Sequence, residues 1–110
     1  MDITNIRQIE PFITKDGSEI RELLAYRNSG VQNQSLAEAR IPVGGATMEH
    51  YHNKTEEIYY ITDGRGRMII DQEQCEVRSG DAIAILPGQV HQLFNIGDET
   101  LHLLCCCSPS

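Results

Sequence analysis

Basic residues are scarce in this sequence. Its 110 residues carry nine Lys and Arg against sixteen Asp and Glu, a formal net charge of −7. That balance argues against a nucleic-acid partner, whose affinity comes from Lys and Arg neutralising phosphates, and against an anionic membrane surface. Long apolar runs are also missing. The best, residues 82–86 and 101–107, fall far short of the roughly 20 residues that a membrane-spanning helix needs. The first residues, Met1 to Arg7, have neither the basic start nor the apolar core of a secretory signal. Cysteine spacing is equally uninformative of bonding. Cys105, Cys106 and Cys107 are consecutive and Cys75 stands alone, which suits neither a secreted disulfide framework nor a Cys-x-x-Cys pair. They read as small hydrophobes filling a strand, reduced as in the cytoplasm. These absences predict one acidic, soluble, cytoplasmic domain spanning residues 1–110.

Turn signals punctuate the chain at residues 15–17, 28–30, 42–45, 63–66, 79–81, 87–88 and 97–98. Between them lie short segments rich in β-branched or aromatic residues: 35–41, 57–62, 67–71, 82–86, 91–95 and 101–107. Turns this regular, with no long helical period, predict an all-β sandwich or barrel. One stretch dissents. Ile20, Leu23 and Leu24 fall at helical spacing, and Asp16 or Ser18 could cap a short N-terminal helix there, with an irregular early strand as the alternative. Residues 82–86 and 103–106 are apolar without alternation, whereas a strand wet on one side should alternate. Such strands lie in a two-layer core or carry a second subunit on their outer face, so a homodimer is expected.

Histidine is scarce as well, four in all, yet two stand together as His50-Tyr51-His52. On a strand, residues i and i+2 project to the same side, so both imidazoles face one way. Glu57 opens the next strand and His91 opens a later one. An isolated His-x-His is usually surface or core. Here a carboxylate and a third histidine at the heads of other strands change the reading to a ligand set for a divalent transition metal: Fe, Mn, Ni, Zn or Cu. Glu56 is the rival carboxylate, but by strand parity it faces away from Glu57. His102, in an apolar C-terminal strand, reads as a core or interface histidine rather than a fifth ligand.

Two segments resemble the motifs of the cupin superfamily. Residues 44–64, with Gly44, His50, His52, Glu57 and Gly64, match G-x5-H-x-H-x4-E-x6-G. Residues 80–95, with Gly80, Gly88, His91 and Asn95, match G-x5-P-x-G-x2-H-x3-N, except that Leu86 stands at the proline position and Pro87 follows it. The departure changes a turn residue and no ligand. The resemblance is to small single-domain bacterial cupins of the cupin-2 type. It implies a jelly-roll β-barrel, a double-stranded β-helix, with one metal inside held by His50, His52, Glu57 and His91. Tyr59 shares the inward parity of Glu57, and Leu93 that of His91, so both should line the pocket.

Cupin folds do not fix a reaction, since similar sites serve dioxygenases, isomerases and lyases as well as simple binders. The expectation is a metal-dependent protein for a small oxygenated molecule, such as a sugar derivative or a hydroxy or keto acid. If it is an enzyme, open metal positions would take a bidentate substrate. Tyr59 would be the candidate acid or base, and Arg40 a candidate clamp for a substrate carboxylate or phosphate if it faces the pocket. The alternative is a non-catalytic small-molecule or sugar-binding module in which the metal is structural.

Overall fold

Tyr59 and Ile61 are buried while Ile58 and Tyr60 beside them are exposed, so the apolar run from 58 to 61 lies across a sheet with one face in the core. In the computed structural model, which describes residues 1–109, nine strands make up nearly half of the chain. They are β1 (Phe12–Ile13), β2 (Glu19–Leu24), β3 (Ser35–Ile41), β4 (Glu56–Asp63), β5 (Arg65–Ile70), β6 (Glu73–Arg78), β7 (Ala82–Ile85), β8 (His91–Asn95) and β9 (Leu101–Ser108). Six form one sheet in the order β1-β2-β3-β9-β4-β7, and three form a second in the order β6-β5-β8. Every pairing is antiparallel.

The two sheets share one core. Ala39 and Ile41 from β3, Tyr59 and Ile61 from β4, Ile85 from β7, and Leu101 and Leu103 from β9 meet Met68, Val77 and Leu93 of the smaller sheet. Full burial of each large side chain contributes roughly 1.5–3 kcal/mol. The chain crosses between sheets at Gly64, whose φ of +94° suits glycine and whose added Cβ would stand 3.1 Å from the Leu101 Cα. The expected jelly-roll barrel is therefore present.

Its N-terminal helix is not where the spacing placed it. Residues 19–24 form strand β2, and the only helical turn among the described residues is a single 3-10 turn over Ile6–Gln8. Asp16 accepts a hydrogen bond from the Ser18 amide, while Thr14 and Ser18 pair through their backbones, so Asp16 closes a hairpin turn instead of capping a helix. A register shift between Glu22 and Leu24 puts the apolar residues out of clean alternation. Sequence reading also passed over β6, whose Glu-Gln-Cys-Glu run is poor strand material; its neighbour β5 imposes the pairing through the tight turn at Asp71, which adopts φ +52°.

The two-sided apolar runs sit on the outer face of the larger sheet. Ile58 (51% exposed) and Tyr60 (44% exposed) project outward, flanked across the ladder by Cys106 and Leu104 on β9 and by Ala84 and Ala82 on β7. Farther along the same face Glu38 is buried beside Arg40, whose Nε donates to it at 2.7 Å, and Arg21 at 3.9 Å.

Candidate metal centre

The segment between β3 and β4 forms a strap along the edge of β8. Asn95 N donates to Gly45 O (2.9 Å), Thr47 N to Leu93 O (2.9 Å), and His50 and His91 exchange backbone hydrogen bonds of 3.1 and 2.8 Å. Gly88 N donates to His52 O at 2.7 Å. His50-Tyr51-His52 therefore belongs to an extended strap with isolated bridges to β8, not to a strand of its own. The reason is local: these five contacts hold the strap's backbone at separate points, while the intervening residues stay outside a continuous ladder.

Three pieces of chain thus converge: the strap with His50 and His52, β4 with Glu57, and β8 with His91. One ligand atom from each lies within 4.8 Å of all the others. His50 Nδ1 donates to Met48 O (2.7 Å) and His91 Nδ1 to Gln89 O (3.0 Å). A carbonyl can only accept, so these partners assign the proton to Nδ1 and leave the Nε2 lone pair of each ring free. Glu57 Oε1 stands 3.5 Å from His91 Nε2 and 3.7 Å from His52 Nε2. Among the described residues, Oε1 and His91 Nε2 are buried with no hydrogen-bond partner. Buried polar atoms are seldom left so. A cation bound to both would satisfy them, and three imidazoles with a carboxylate suit a divalent transition metal, so the residues fit the group.

Charge is balanced within this cluster. Burial alone would raise Glu57, but His91, the Cys107 thiol and nearby His52 outweigh it and hold the carboxyl below its ordinary value. Burial likewise opposes charge on His91, yet Glu57 and the Gln89 carbonyl hold it above the ordinary imidazole value. His52 falls below that value, mainly through burial.

Tyr59 lies inside the barrel with its ring centroid 6.2 Å from that of His91. Burial, then the charge of Glu57, push its hydroxyl well above the ordinary value, so it stays protonated. Leu93 is fully buried on the same inner surface. Arg40 points the other way, into its pair with Glu38 on the outer face, because Ala39 and Ile41 take the inward parity of β3. It does not reach the cluster. Glu56 is exposed, and His102 lies opposite Arg40 on the outer face, outside the ligand group.

Three contributors had no clear signal in the sequence. Cys107 donates from Sγ to Glu57 Oε2 at 3.1 Å, and burial, then that contact, push its thiol up to about 12. Asp16 accepts from the Met48 amide at 2.9 Å, tying the early hairpin to the strap just before His50. Asn95, visible only as a motif position, donates to Ile41 O and Glu99 O, both at 2.9 Å. A run of three consecutive cysteines on one strand left open which of them faces inward.

A groove of about 690 Å³ opens between β6 and β7, where the two sheets do not pair. Its walls include Met68, Ile70, Val77 and Ile83, and its charged lining residues are Glu73, Glu76 and Asp81. No metal ligand lines it. It approaches the cluster through Ile70, which pairs with His91, and Ile83, which pairs with Tyr59.

Residues 37–107 match the family model described as Cupin domain. The chain is 51% identical over 106 residues to an uncharacterised protein of Methanocaldococcus jannaschii, covering 96% of this chain and 85% of that protein. It is 29% identical over 107 residues to the polyketide synthase protein CurC of Streptomyces cyaneus, covering 97% of this chain and 69% of that one. Among solved structures, the polyketide cyclase RemF of Streptomyces resistomycificus superposes with a TM-score of 0.87 at 21% identity, over 100% of this chain and 80% of that one. No helix among the described residues is long and apolar enough to cross a membrane.

Proposed function

Because the chain belongs to the cupin-domain family, we propose that His50, His52, Glu57 and His91 hold one divalent transition metal that acts on a small, neutral, oxygenated molecule. The observation that carries this reading is the buried pair of atoms without partners, Glu57 Oε1 and His91 Nε2, inside a four-residue cluster of matching donors.

When bound, such a metal supplies Lewis-acid polarisation of a substrate oxygen. The chain supplies the rest. His50 and His91 are preset by their carbonyl partners to offer Nε2. Tyr59 keeps its proton and can donate to negative charge developing on a substrate oxygen, but it cannot act as a base near neutral pH. Ile70 and Ile83, which pair with His91 and Tyr59, line the groove on the side nearest the cluster. The groove's acidic lining, with no Lys or Arg, favours a neutral diketone or hydroxyketone over a sugar phosphate or an organic acid. The likeness to two polyketide-related proteins supports the same substrate class.

Titration calorimetry on the metal-loaded protein tests this. A neutral 1,3-diketone should bind, and the His91→Ala variant should lose that binding. Tighter binding of a sugar phosphate than of the diketone would overturn the assignment. One observation favours a second reading, a binder without turnover: beside the ligands, the titratable groups Tyr59 and Cys107 face the cluster, and both are held in their protonated forms. Diketone binding with no product, with or without oxygen, would select that reading.

We also propose that the apolar outer face around Ile58 and Tyr60 seats a second copy of the chain. Tyr60→Lys should then convert a dimer to a monomer in light scattering.

A further inference from the structure

We propose that Cys107 is a positioning residue that fixes how Glu57 is offered to the metal, a role resting on the metal reading above. The two carboxylate oxygens of Glu57 are used differently. Oε2 accepts from the Cys107 thiol at 3.1 Å, while Oε1 faces His52 and His91 and has no hydrogen-bond partner among the described residues. Glu57 and Cys107 stand directly opposite each other where β4 pairs with β9, so their side chains share the inner face. The contact is therefore set by the ladder and not by a chance rotamer.

A carboxylate free at both oxygens can rotate about its terminal bond or bind through both atoms. With Oε2 engaged, Glu57 presents Oε1 alone, which gives a ligand set of three imidazole nitrogens and one oxygen and leaves the remaining positions open. Outer partners of this kind typically tune metal affinity by about 10–100-fold. Cys105 supplies the internal comparison. It lies on the same inward face of β9 but opposite Tyr59, one step farther from the carboxylate. Cys106 points outward.

Cobalt(II) is the probe, because its visible absorption reports coordination number and its binding can be titrated. Wild type, Cys107→Ala, Cys107→Ser and Cys105→Ala would be compared, with circular dichroism of the metal-free proteins as the folding control. The expected result is about a 10–100-fold weaker cobalt affinity for Cys107→Ala with altered visible bands, substantial recovery in Cys107→Ser because its hydroxyl can still donate to Oε2, and little change in Cys105→Ala. Should Cys107→Ala fail to fold, Cys107→Ser carries the test through a wild-type spectrum. Unchanged affinity and bands in a folded Cys107→Ala, or a Cys107→Ser as impaired as the alanine variant, would overturn the positioning role. A cobalt–sulfur charge-transfer band in wild type would make Cys107 a ligand and overturn it too. Failure of wild type to bind cobalt at all would instead remove the metal reading on which the role rests.

Discussion

His50 and His91 are positioned by backbone: each Nδ1 meets the carbonyl two residues earlier, and the two residues exchange main-chain hydrogen bonds across the strap. Glu57 is positioned by a side chain from 50 residues away, the Cys107 thiol. The difference has consequences. Main-chain contacts survive most substitutions around them, so the histidine side tolerates a varied neighbourhood. The carboxylate side depends on the identity of one residue on another strand.

The largest effect that sharpens this contrast comes from the ligands themselves. His91→Ala or Glu57→Ala should abolish stoichiometric metal, measured by elemental analysis after dialysis, whereas Glu56→Ala should retain it. If Glu56→Ala strips metal and Glu57→Ala does not, the carboxylate has been misassigned.

Acid should act next, and on both sides at once. Ligand histidines must be neutral to bind, so metal should leave below about pH 6. Retention at pH 4 would mean that these histidines are not ligands. Without metal, the Glu57–His91 pair has its own pH window. Glu57 is held below its ordinary value of 4.5, so its contribution is present above that pH and is lost as pH falls through the lowered value. His91 is held above its ordinary value of 6.5, so its contribution is full below that pH and is lost as pH rises through the raised value. The difference in Tm between metal-free wild type and Glu57→Gln should therefore be greatest between those limits and shrink on either side. A difference independent of pH would show that the pair is not coupled.

Asn95→Ala tests the scaffold rather than the ligands. It removes three hydrogen bonds of 2.9 Å, two donated to Ile41 O and Glu99 O and one accepted from the Gly97 amide, and a loss of about 1–3 kcal/mol is expected in urea unfolding. Smallest of all should be Asp16→Ala. It frees the Met48 amide, but the bridges to β8 still hold the strap, so metal affinity should fall by less than about tenfold, short of the Cys107→Ala effect. A larger loss would mean that the early hairpin, and not β8, places His50.

The histidine side was legible in the sequence for the same reason that it is robust. Its geometry is made within short stretches, with glycines at turns and ligands at fixed spacing, and β3, β4, β8 and β9 stand out as β-branched or apolar runs between turns. What could not be read depends on distant register. Nothing local says that Cys107 faces Glu57, because that follows from how β9 lies on β4. The parity of Arg40 was open for the same reason, until the burial of Ala39 and Ile41 turned it outward. In β2, a bulge gave Ile20, Leu23 and Leu24 the spacing of a helix. In β6, polar residues concealed a strand that exists because β5 pairs with it.

Elemental analysis of the untagged protein, purified without chelator beside a His91→Ala control, tests the central claim most directly. About one transition metal per chain in wild type and none in the control is the predicted result. Metal-free wild type that also takes up no added iron, manganese, nickel, zinc or copper would contradict it.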